Sequence, residues 1–466
     1  CHGEDGKGTI PNIYPPLSNN EWVMGDDERL IKIVLKGLWG PIEVNGKKFD
    51  PSTGVPPMTG FAGMLTDDEI AGVLTFVRLN FGDKKALTRP IKPSMVARVR
   101  EETKNRANFY MVDEILKEHP FPESQADATG VKQWQDYPGA EGVGKGKKVV
   151  LISGDEEYRS EEALSQLGKI LSQRHGFNAT VLYAQHPGTP GIVDPNHGND
   201  IPGLDSLEDA DLMVIATRFR DLPNTQMKKI EDYLRAGKPV VGLRTATHAF
   251  NIADKNSKYA HWSFDYDGDK KAWKNGFGEL ILGTTWVSHH GWHMYESTRG
   301  ILTGIHEIHN GIGEGEIWGP TDVYGVALPL PGDSEPVVLG QVVAGMGKLH
   351  PPVGPGPYDR VPKYGREEGF HKNDPMMPIA WTKSYQIPGG KKGRVFTSTI
   401  GSSNDLAAAG TRRMIVNGII WAAGLSVPKN GANVNLVGEF EPTMYGFQRE
   451  EGYWQKKKLK VSDFDL

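Results

Sequence analysis

The stretch Lys148-Val149-Val150-Leu151-Ile152-Ser153-Gly154 decides the fold of the larger part of this chain. Its apolar run lacks the polar–apolar alternation of a half-exposed strand, and is typical of a strand buried on both faces of a parallel sheet. A helical pattern follows over 161–174, with Leu164, Leu167 and Leu171 on one face. A buried strand followed by an amphipathic helix predicts the first unit of an α/β fold.

The alternation of strand and helix continues downstream. The predicted strands cover 179–183, 211–216, 239–243, 337–343 and 393–400, and the predicted helices cover 225–236 and 407–423. Gly237 and Pro239 follow the first of these helices, as expected at a helix C-terminus. This order predicts a doubly wound parallel sheet over 147–428, and 429–466 is expected to be a C-terminal surface tail.

Several segments of this region resemble the trehalose-utilisation (ThuA-like) family. They are Leu151–Tyr158, Asp209–Leu212, Gly237–Leu243, His289–His293, Thr321–Tyr324, Gly393–Phe396 and Thr399–Gly401. The resemblance implies the flavodoxin-like fold of class I glutamine amidotransferases and an action on carbohydrates, such as 3-keto-sugars or their glycosides. The chain departs from the family pattern at 244–248 and at Gly401-Ser402, where members often carry histidine.

The residue inventory excludes one reaction class for this domain and argues against a second. Glutamine amidotransfer needs a cysteine nucleophile after a strand, and the single cysteine of the sequence is Cys1. A Gly-x-Ser-x-Gly elbow, typical of serine hydrolases of the α/β type, is also absent. The question of whether the domain is an enzyme therefore stays open.

Ligands of parallel sheets bind outside the carboxyl ends of the strands, which places the loops 154–159, 218–221 and 244–248 together. The candidate catalytic or substrate-binding residues are Asp155, Glu157, Tyr158, Arg159, Arg244, His248 and His290. Carboxylate, arginine, histidine and tyrosine suit a polyhydroxylated or oxidised sugar, with histidine or glutamate in acid–base roles. The alternatives are an exposed charge cluster at a helix N-terminus for Glu157 and Arg159, and a structural buried histidine for His248.

The closely spaced histidines His289, His290 and His293 suggest a second metal ion, zinc if any. No carboxylate ligand is evident beside them in the sequence, so a second metal is not favoured.

The N-terminal residues Cys1-His2-Gly3-Glu4-Asp5-Gly6-Lys7-Gly8 match the second half of a C-x-x-C-H haem attachment motif and its glycine-rich continuation. The first cysteine of the motif does not occur in this sequence. The fragment predicts haem c attached through Cys1, with His2 as an axial ligand of the iron.

Three further features accompany the motif. A helix is predicted over 27–38, and the Pro-Pro-Met sequence at 56–58 offers Met58 as the second axial ligand, ahead of Met64. Thr66 and Glu69 form a capping-box pattern that begins another helix. Residues 1–100 thus resemble class I cytochrome c, which implies an all-α domain, taken here as 1–118 with its helical extension, and one-electron transfer. Residues 119–146, rich in proline and glycine, are predicted to be the linker.

The charge and the apolar runs of the sequence limit the locations and the partners that we expect for this protein. A net charge of −5 provides no overall basic field and argues against a nucleic-acid partner, and no apolar run approaches the roughly 18 residues of a membrane span. Haem c is attached outside the cytoplasmic membrane, so we expect a periplasmic or secreted protein whose signal peptide is removed or lies outside this numbering. Lipidation of Cys1 is the alternative, and it would compete for the same thiol.

Two functions follow from the sequence. The first is a haem c protein that combines one-electron transfer with a carbohydrate-processing or carbohydrate-binding domain; its partners would be a redox protein and a sugar-derived small molecule. The second is a non-enzymatic electron-transfer subunit whose α/β domain is a docking or structural module. The sequence does not indicate an oligomeric state.

Overall fold

The computed structural model describes residues 2–466 except 4–5, 11–12, 18–20, 25, 45–46, 82–89, 120–130, 363–364 and 451. The chain divides into two compact units, Cys1–Ala128 and Thr129–Leu466. Among the residues that the structure describes, no helix has both the length and the hydropathy that crossing a bilayer requires.

The N-terminal unit combines helices with short strands. Its elements are α1 (Glu21–Met24), α2 (Asp27–Lys36), β1 (Gly37–Trp39), β2 (Ile42–Val44), β3 (Lys47–Phe49), β4 (Met58–Thr59), α3 (Asp67–Phe81), α4 (Pro93–Glu102), β5 (Tyr110–Met111) and α5 (Val112–Glu118). Strand β1 pairs antiparallel with β4 and parallel with β5, and β2 pairs with β3. The prediction of an all-α domain therefore needs correction, because these short ladders satisfy backbone groups of the segments between the helices.

The ends of α2 and α3 follow from local chemistry. Asp26 caps α2 by accepting a hydrogen bond from the amide of Arg29 at 2.7 Å. The helix ends before Gly37, whose φ of +85° favours glycine. The predicted capping box of α3 is confirmed: Glu69 accepts from the Thr66 amide at 2.8 Å, and Thr66 Oγ1 accepts from the Glu69 amide at 3.3 Å.

The second unit is built on one large sheet. Its elements are β6 (Trp134–Tyr137), β7 (Lys148–Gly154), α6 (Ser160–His175), β8 (Asn178–Tyr183), β9 (Leu212–Thr217), α7 (Asn224–Arg235), β10 (Val240–Leu243), β11 (Ser288–His289), β12 (Ser297–Leu302), β13 (Trp318–Gly319), β14 (Tyr324–Gly325), β15 (Glu335–Val343), β16 (Met377–Tyr385), β17 (Gly393–Ser398), α8 (Ala409–Ala422) and α9 (Tyr453–Lys457).

The sheet has ten strands in the order β13-β12-β15-β16-β17-β10-β9-β7-β8-β6. The five strands from β17 to β8 are parallel, which confirms the α/β prediction for the centre of the sheet. The prediction of a parallel sheet throughout is wrong, because β6 and the four strands from β16 to β13 pair antiparallel. Strand β6 also lies within the predicted linker, and its Trp-Gln-Asp-Tyr sequence has no strand-like apolar run.

Helices cover both faces of the parallel centre. Val149 and Leu151 of β7 pack in the same core as α6 and α8, whereas Val150 and Ile152 pack in the core that contains α7. Strand β7 is therefore buried on both faces, as its apolar run predicts. The predicted surface tail buries five side chains, those of Ala432, Val434, Tyr445, Trp454 and Val461. The segment therefore contributes to the packed structure as well as to its surface.

Candidate functional sites

The N-terminal unit contains an apolar cavity of about 750 Å³, a volume in the range of cofactor pockets. Its apolar walls come from α2, α3 and the intervening segments, and they include Trp22, Leu30, Val34, Phe61, Leu74 and Phe81. Two side chains with metal-binding atoms, those of His2 and Met58, also line it. Cys1, the predicted attachment residue, lies outside the described residues.

The ring of His2 is held by a backbone carbonyl. Its Nδ1 lies 2.9 Å from the carbonyl oxygen of Pro15. A carbonyl can only accept, so Nδ1 carries the proton and Nε2 keeps the lone pair that a metal needs. Burial lowers the pKa of His2, against the opposing effect of the Pro15 hydrogen bond, and so favours the neutral form that ligates iron.

Met58 is positioned by strand pairing and by a close chain crossing. It lies opposite Leu38 in the β1–β4 ladder, and two residues after it the chain passes α2 so closely that a Cβ at Gly60 would lie 2.6 Å from the Lys36 carbonyl carbon. Met64 is 63% exposed and does not line the cavity. The geometry therefore favours Met58 over Met64, and the imidazole, the thioether and the apolar walls together fit haem c.

At the carboxyl ends of the parallel strands, the second unit brings together what we name the strand-edge cluster: Glu157, Arg244, His289, His293 and Asp322. Asp322 is completely buried at its centre. Its Oδ1 accepts from Arg244 Nη2 at 3.1 Å and from His293 Nδ1 at 3.0 Å, and its Oδ2 accepts from His289 Nδ1 at 2.8 Å. Burial alone would raise the pKa of Asp322, but these donors hold it well below its usual range, so the carboxylate is charged.

Arg244 is a fixed, buried cation directly after β10. Its Nη1 donates to the carbonyl oxygens of Asp322 and Thr399 at 2.9 and 2.7 Å, and its Nη2 lies 3.1 Å from Tyr158 Oη. Its guanidinium carbon lies 3.7 Å from the ring centroid of Tyr324. A φ of +46°, unusual for a residue other than glycine, directs the chain into this position.

His293 lies between two carboxylates. Its Nδ1 faces Asp322, and its Nε2 lies 3.3 Å from Glu157 Oε1. Although burial lowers it, the hydrogen bonds to Asp322 and Glu157 raise the pKa of His293 to about 9, so the free protein holds an imidazolium here at neutral pH. Arg218, on the neighbouring strand end, lies 3.5 Å from the other oxygen of Glu157.

Asp155 and His248 border the cluster and are fully buried. Asp155 accepts from Thr245 Oγ1 at 2.6 Å and from the amides of Glu157 and Tyr158, so it organises the loop that presents Glu157. Burial raises the pKa of Asp155 to about 6. Burial, with the charges of Arg218 and Arg244, lowers the pKa of His248 well below its usual value, so this ring is neutral.

Two predicted site residues, Arg159 and His290, contact residues outside the strand-edge cluster. Arg159 packs over the ring of Trp454 at 4.7 Å and lies 3.6 Å from Glu161. The Nε2 of His290 donates to the carbonyl oxygen of Lys372 at 2.6 Å, so His290 anchors the loop whose neighbours enter the cluster.

Asp322 and Tyr445 were not among the predicted site residues. Asp322 lies within the segment Thr321–Tyr324 that carries part of the ThuA-like resemblance, and this was the signal that could have identified it. Tyr445 stacks on Tyr158 at 5.3 Å from a segment whose sequence has no strand or helix pattern, and no signal marks it.

Comparison with known proteins finds a similar cytochrome sequence and solved structures of low similarity. No family model matches the chain. A cytochrome c-552 from Thermus thermophilus is 37% identical over 122 residues, which cover 25% of this chain and 85% of the relative. Solved ThuA-like proteins from Parabacteroides merdae and Bacteroides uniformis align with 13% identity and a TM-score of 0.34 each; the alignments cover 65% and 61% of this chain and 98% and 95% of theirs.

Proposed function

The chain belongs, through about a quarter of its length, to the cytochrome c family, and from this premise we propose that it is a haem c electron-transfer protein with a carbohydrate-processing or carbohydrate-binding α/β unit. The observation that carries the first part is the apolar cavity lined by both His2 and Met58. Because haem c is attached outside the cytoplasmic membrane, the proposed location is the periplasm or the exterior, with a redox protein as partner.

When bound, haem supplies the one-electron exchange at its iron. The chain supplies the surroundings. Cys1 offers the thioether link, His2 an imidazole fixed by the Pro15 carbonyl, and Met58 a thioether that favours ferrous iron. The apolar walls exclude water from the cavity.

The axial role of Met58 can be tested by electrochemistry. We expect Met58→His to retain the haem but to lower the reduction potential, because imidazole stabilises ferrous iron less than a thioether does. Met64→His is the matched control and should leave the potential unchanged, since Met64 does not line the cavity. An unchanged potential in Met58→His would mean that Met58 is not the axial ligand. A purified chain without a Soret band would contradict the haem proposal itself.

The carbohydrate role rests on the strand-edge cluster. Its fixed guanidinium, imidazoles and carboxylates lie where α/β sheets bind ligands, and they suit the hydroxyl and carbonyl groups of a 3-keto-sugar or its glycosides. Residues Asp155, Tyr158 and His248 would line or support the same site.

Titration calorimetry of the intact haem protein with keto-sugars and their glycosides tests this role. Arg244→Ala and His248→Ala should abolish binding and leave the haem spectrum intact, whereas His306→Ala, outside the cluster, should bind normally. Unaltered binding in both the Arg244 and the His248 variant would move the site elsewhere. If no sugar binds to the unmodified protein, the non-enzymatic docking module becomes the better description of the α/β unit.

A further inference from the structure

We propose that His289, His293 and Asp322 form a divalent-metal site in the α/β unit, separate from the haem iron. One possible ligand atom of each residue lies within 4.8 Å of those of the other two. Two imidazoles and one carboxylate are a donor set that suits zinc and the divalent ions of iron and manganese. The sequence alone did not favour a metal here because it pointed to His290 as the third ligand and showed no carboxylate.

The separations match those of a coordination shell. The Nδ1 atoms of His289 and His293 lie 2.8 and 3.0 Å from the two oxygens of Asp322. Ligand atoms bound at about 2.1 Å and at right angles to each other lie roughly 3 Å apart. The same side chains can therefore receive a metal with small movements of the two rings, whose centroids lie 4.6 Å apart.

The surrounding groups hold these ligands in place. Arg244 fixes Asp322 through both the side chain and the carbonyl. Glu157 lies 3.3 Å from the outer nitrogen of His293, the position of the carboxylate that commonly orients a metal-bound histidine.

The loop that carries the two histidines is anchored next to each of them. The His290 ring donates to the Lys372 carbonyl. The Lys372 ammonium in turn lies 2.9 Å from both oxygens of Glu296, and Glu296 accepts from the Trp292 amide at 2.5 Å. A loop fixed in this way, by a buried ion pair, presents its ligands with little loss of freedom on metal binding.

The burial pattern leaves room for further ligands. The side chains of His289 and His293 are 30% and 20% exposed, whereas Asp322 is fully buried beneath them. A metal on this set would keep coordination positions towards the solvent side. There it could bind two neighbouring oxygens of a sugar-derived ligand; this last step rests on the proposed carbohydrate function, and the metal site does not.

The test is zinc binding by the full haem-containing chain after removal of metals with a chelator. We expect one zinc per chain by elemental analysis, with haem iron as the internal standard, and a matching stoichiometry by calorimetry. His289→Gln and His293→Gln should each weaken zinc binding more than tenfold, and Glu157→Gln by about 10- to 100-fold. The double variant His306→Gln/His309→Gln, which removes a nearby histidine pair outside the cluster, should bind zinc like the unmodified chain.

The outcomes are separable. Asp322→Asn removes the central ligand but also the partner of a buried arginine, so the two histidine variants decide the matter if it fails to fold. Zinc retention that is equal in the unmodified chain and in the His289 and His293 variants would overturn the proposal and leave a hydrogen-bonded histidine–carboxylate cluster. Zinc binding without sugar binding would refute the carbohydrate role alone.

Discussion

The two candidate sites are assembled in opposite ways. The cavity of the N-terminal unit is lined by residues from one short part of the chain, 2–81, and its two candidate iron ligands, His2 and Met58, are each positioned by the backbone of a nearby segment. The strand-edge cluster draws on loops from 157 to 322, and its members hold each other through buried charges. The first kind of site depends mainly on local chain geometry, and the second on long-range electrostatic pairing.

This contrast predicts the largest effect at Asp322. Asp322→Ala leaves Arg244 buried without its carboxylate, and we expect the free energy of unfolding of the α/β unit to fall by about 3–5 kcal/mol. Urea unfolding followed by tryptophan fluorescence measures it. Asp209→Ala, which breaks an ion pair with Lys148 where Asp209 is 73% exposed, should cost less than about 1 kcal/mol. Similar losses of unfolding free energy in the two variants would contradict the idea that buried charge pairing holds the strand-edge cluster together.

The second unit also buries a carboxylate, that of Glu161, which the charge of Arg159 compensates only in part. Both oxygens of Glu161 lack hydrogen-bond partners, and burial, opposed by Arg159, raises its pKa to about 7. The ionised form therefore destabilises the fold above that pH, and the cost disappears below about pH 4.5, where the group is protonated in both states.

Glu161→Gln should remove this pH dependence. We expect the variant to be more stable than the unmodified chain by about 3 kcal/mol at pH 8 and nearly equally stable near pH 4.5. Unfolding curves at the two pH values decide it, with the exposed Glu141→Gln as control. A gain that is the same at both pH values would show that packing, not charge, is responsible.

In the N-terminal unit we expect close backbone packing, and not charge pairing, to determine the effect of a substitution on stability. Gly60→Ala forces a Cβ against the backbone of Lys36 and should lower the stability of this unit by about 1.5 kcal/mol. Gly63→Ala introduces the same methyl group where nothing lies within 4 Å, and should be neutral. Unfolding followed by haem absorbance reports this unit separately. Equal effects at both glycines would contradict the close crossing beside Met58.

The smallest effect is expected at the capping box. Thr66→Ala removes the acceptor for the Glu69 amide and should cost about 1 kcal/mol in the same haem-absorbance assay. Glu69→Gln keeps an acceptor for the Thr66 amide and should cost less. If Thr66→Ala were neutral, the start of α3 would be fixed by packing alone.

The sequence predicted the features that local chemistry specifies. The buried run of β7 and the capping box of α3 depend on neighbouring residues, and the haem ligand candidates are marked by short motifs. Strand β16 was not predicted, because Pro378, Trp381 and Lys383 interrupt the apolar pattern that marks a strand in the sequence. The strand is instead stabilised by pairing with β15 on one side and β17 on the other.

The same reasoning explains the outcome at the strand edge. Arg244 and His248 could be placed there because parallel strands present their carboxyl ends together. Asp322 lies 78 residues beyond Arg244, between β13 and β14. Its position depends on how the antiparallel part of the sheet returns the chain to the ends of the parallel strands. Whether the predicted residues act on a ligand stays a prediction.

The C-terminal segment follows every strand of the sheet in the sequence and covers the strand edge. The Gly446 amide donates to the Glu157 carbonyl at 2.7 Å, Tyr445 stacks on Tyr158, and Phe447 lies under the guanidinium of Arg218 at 4.9 Å. A chain truncated before residue 445 would therefore keep all of the strands of the sheet and lose one wall of the cluster.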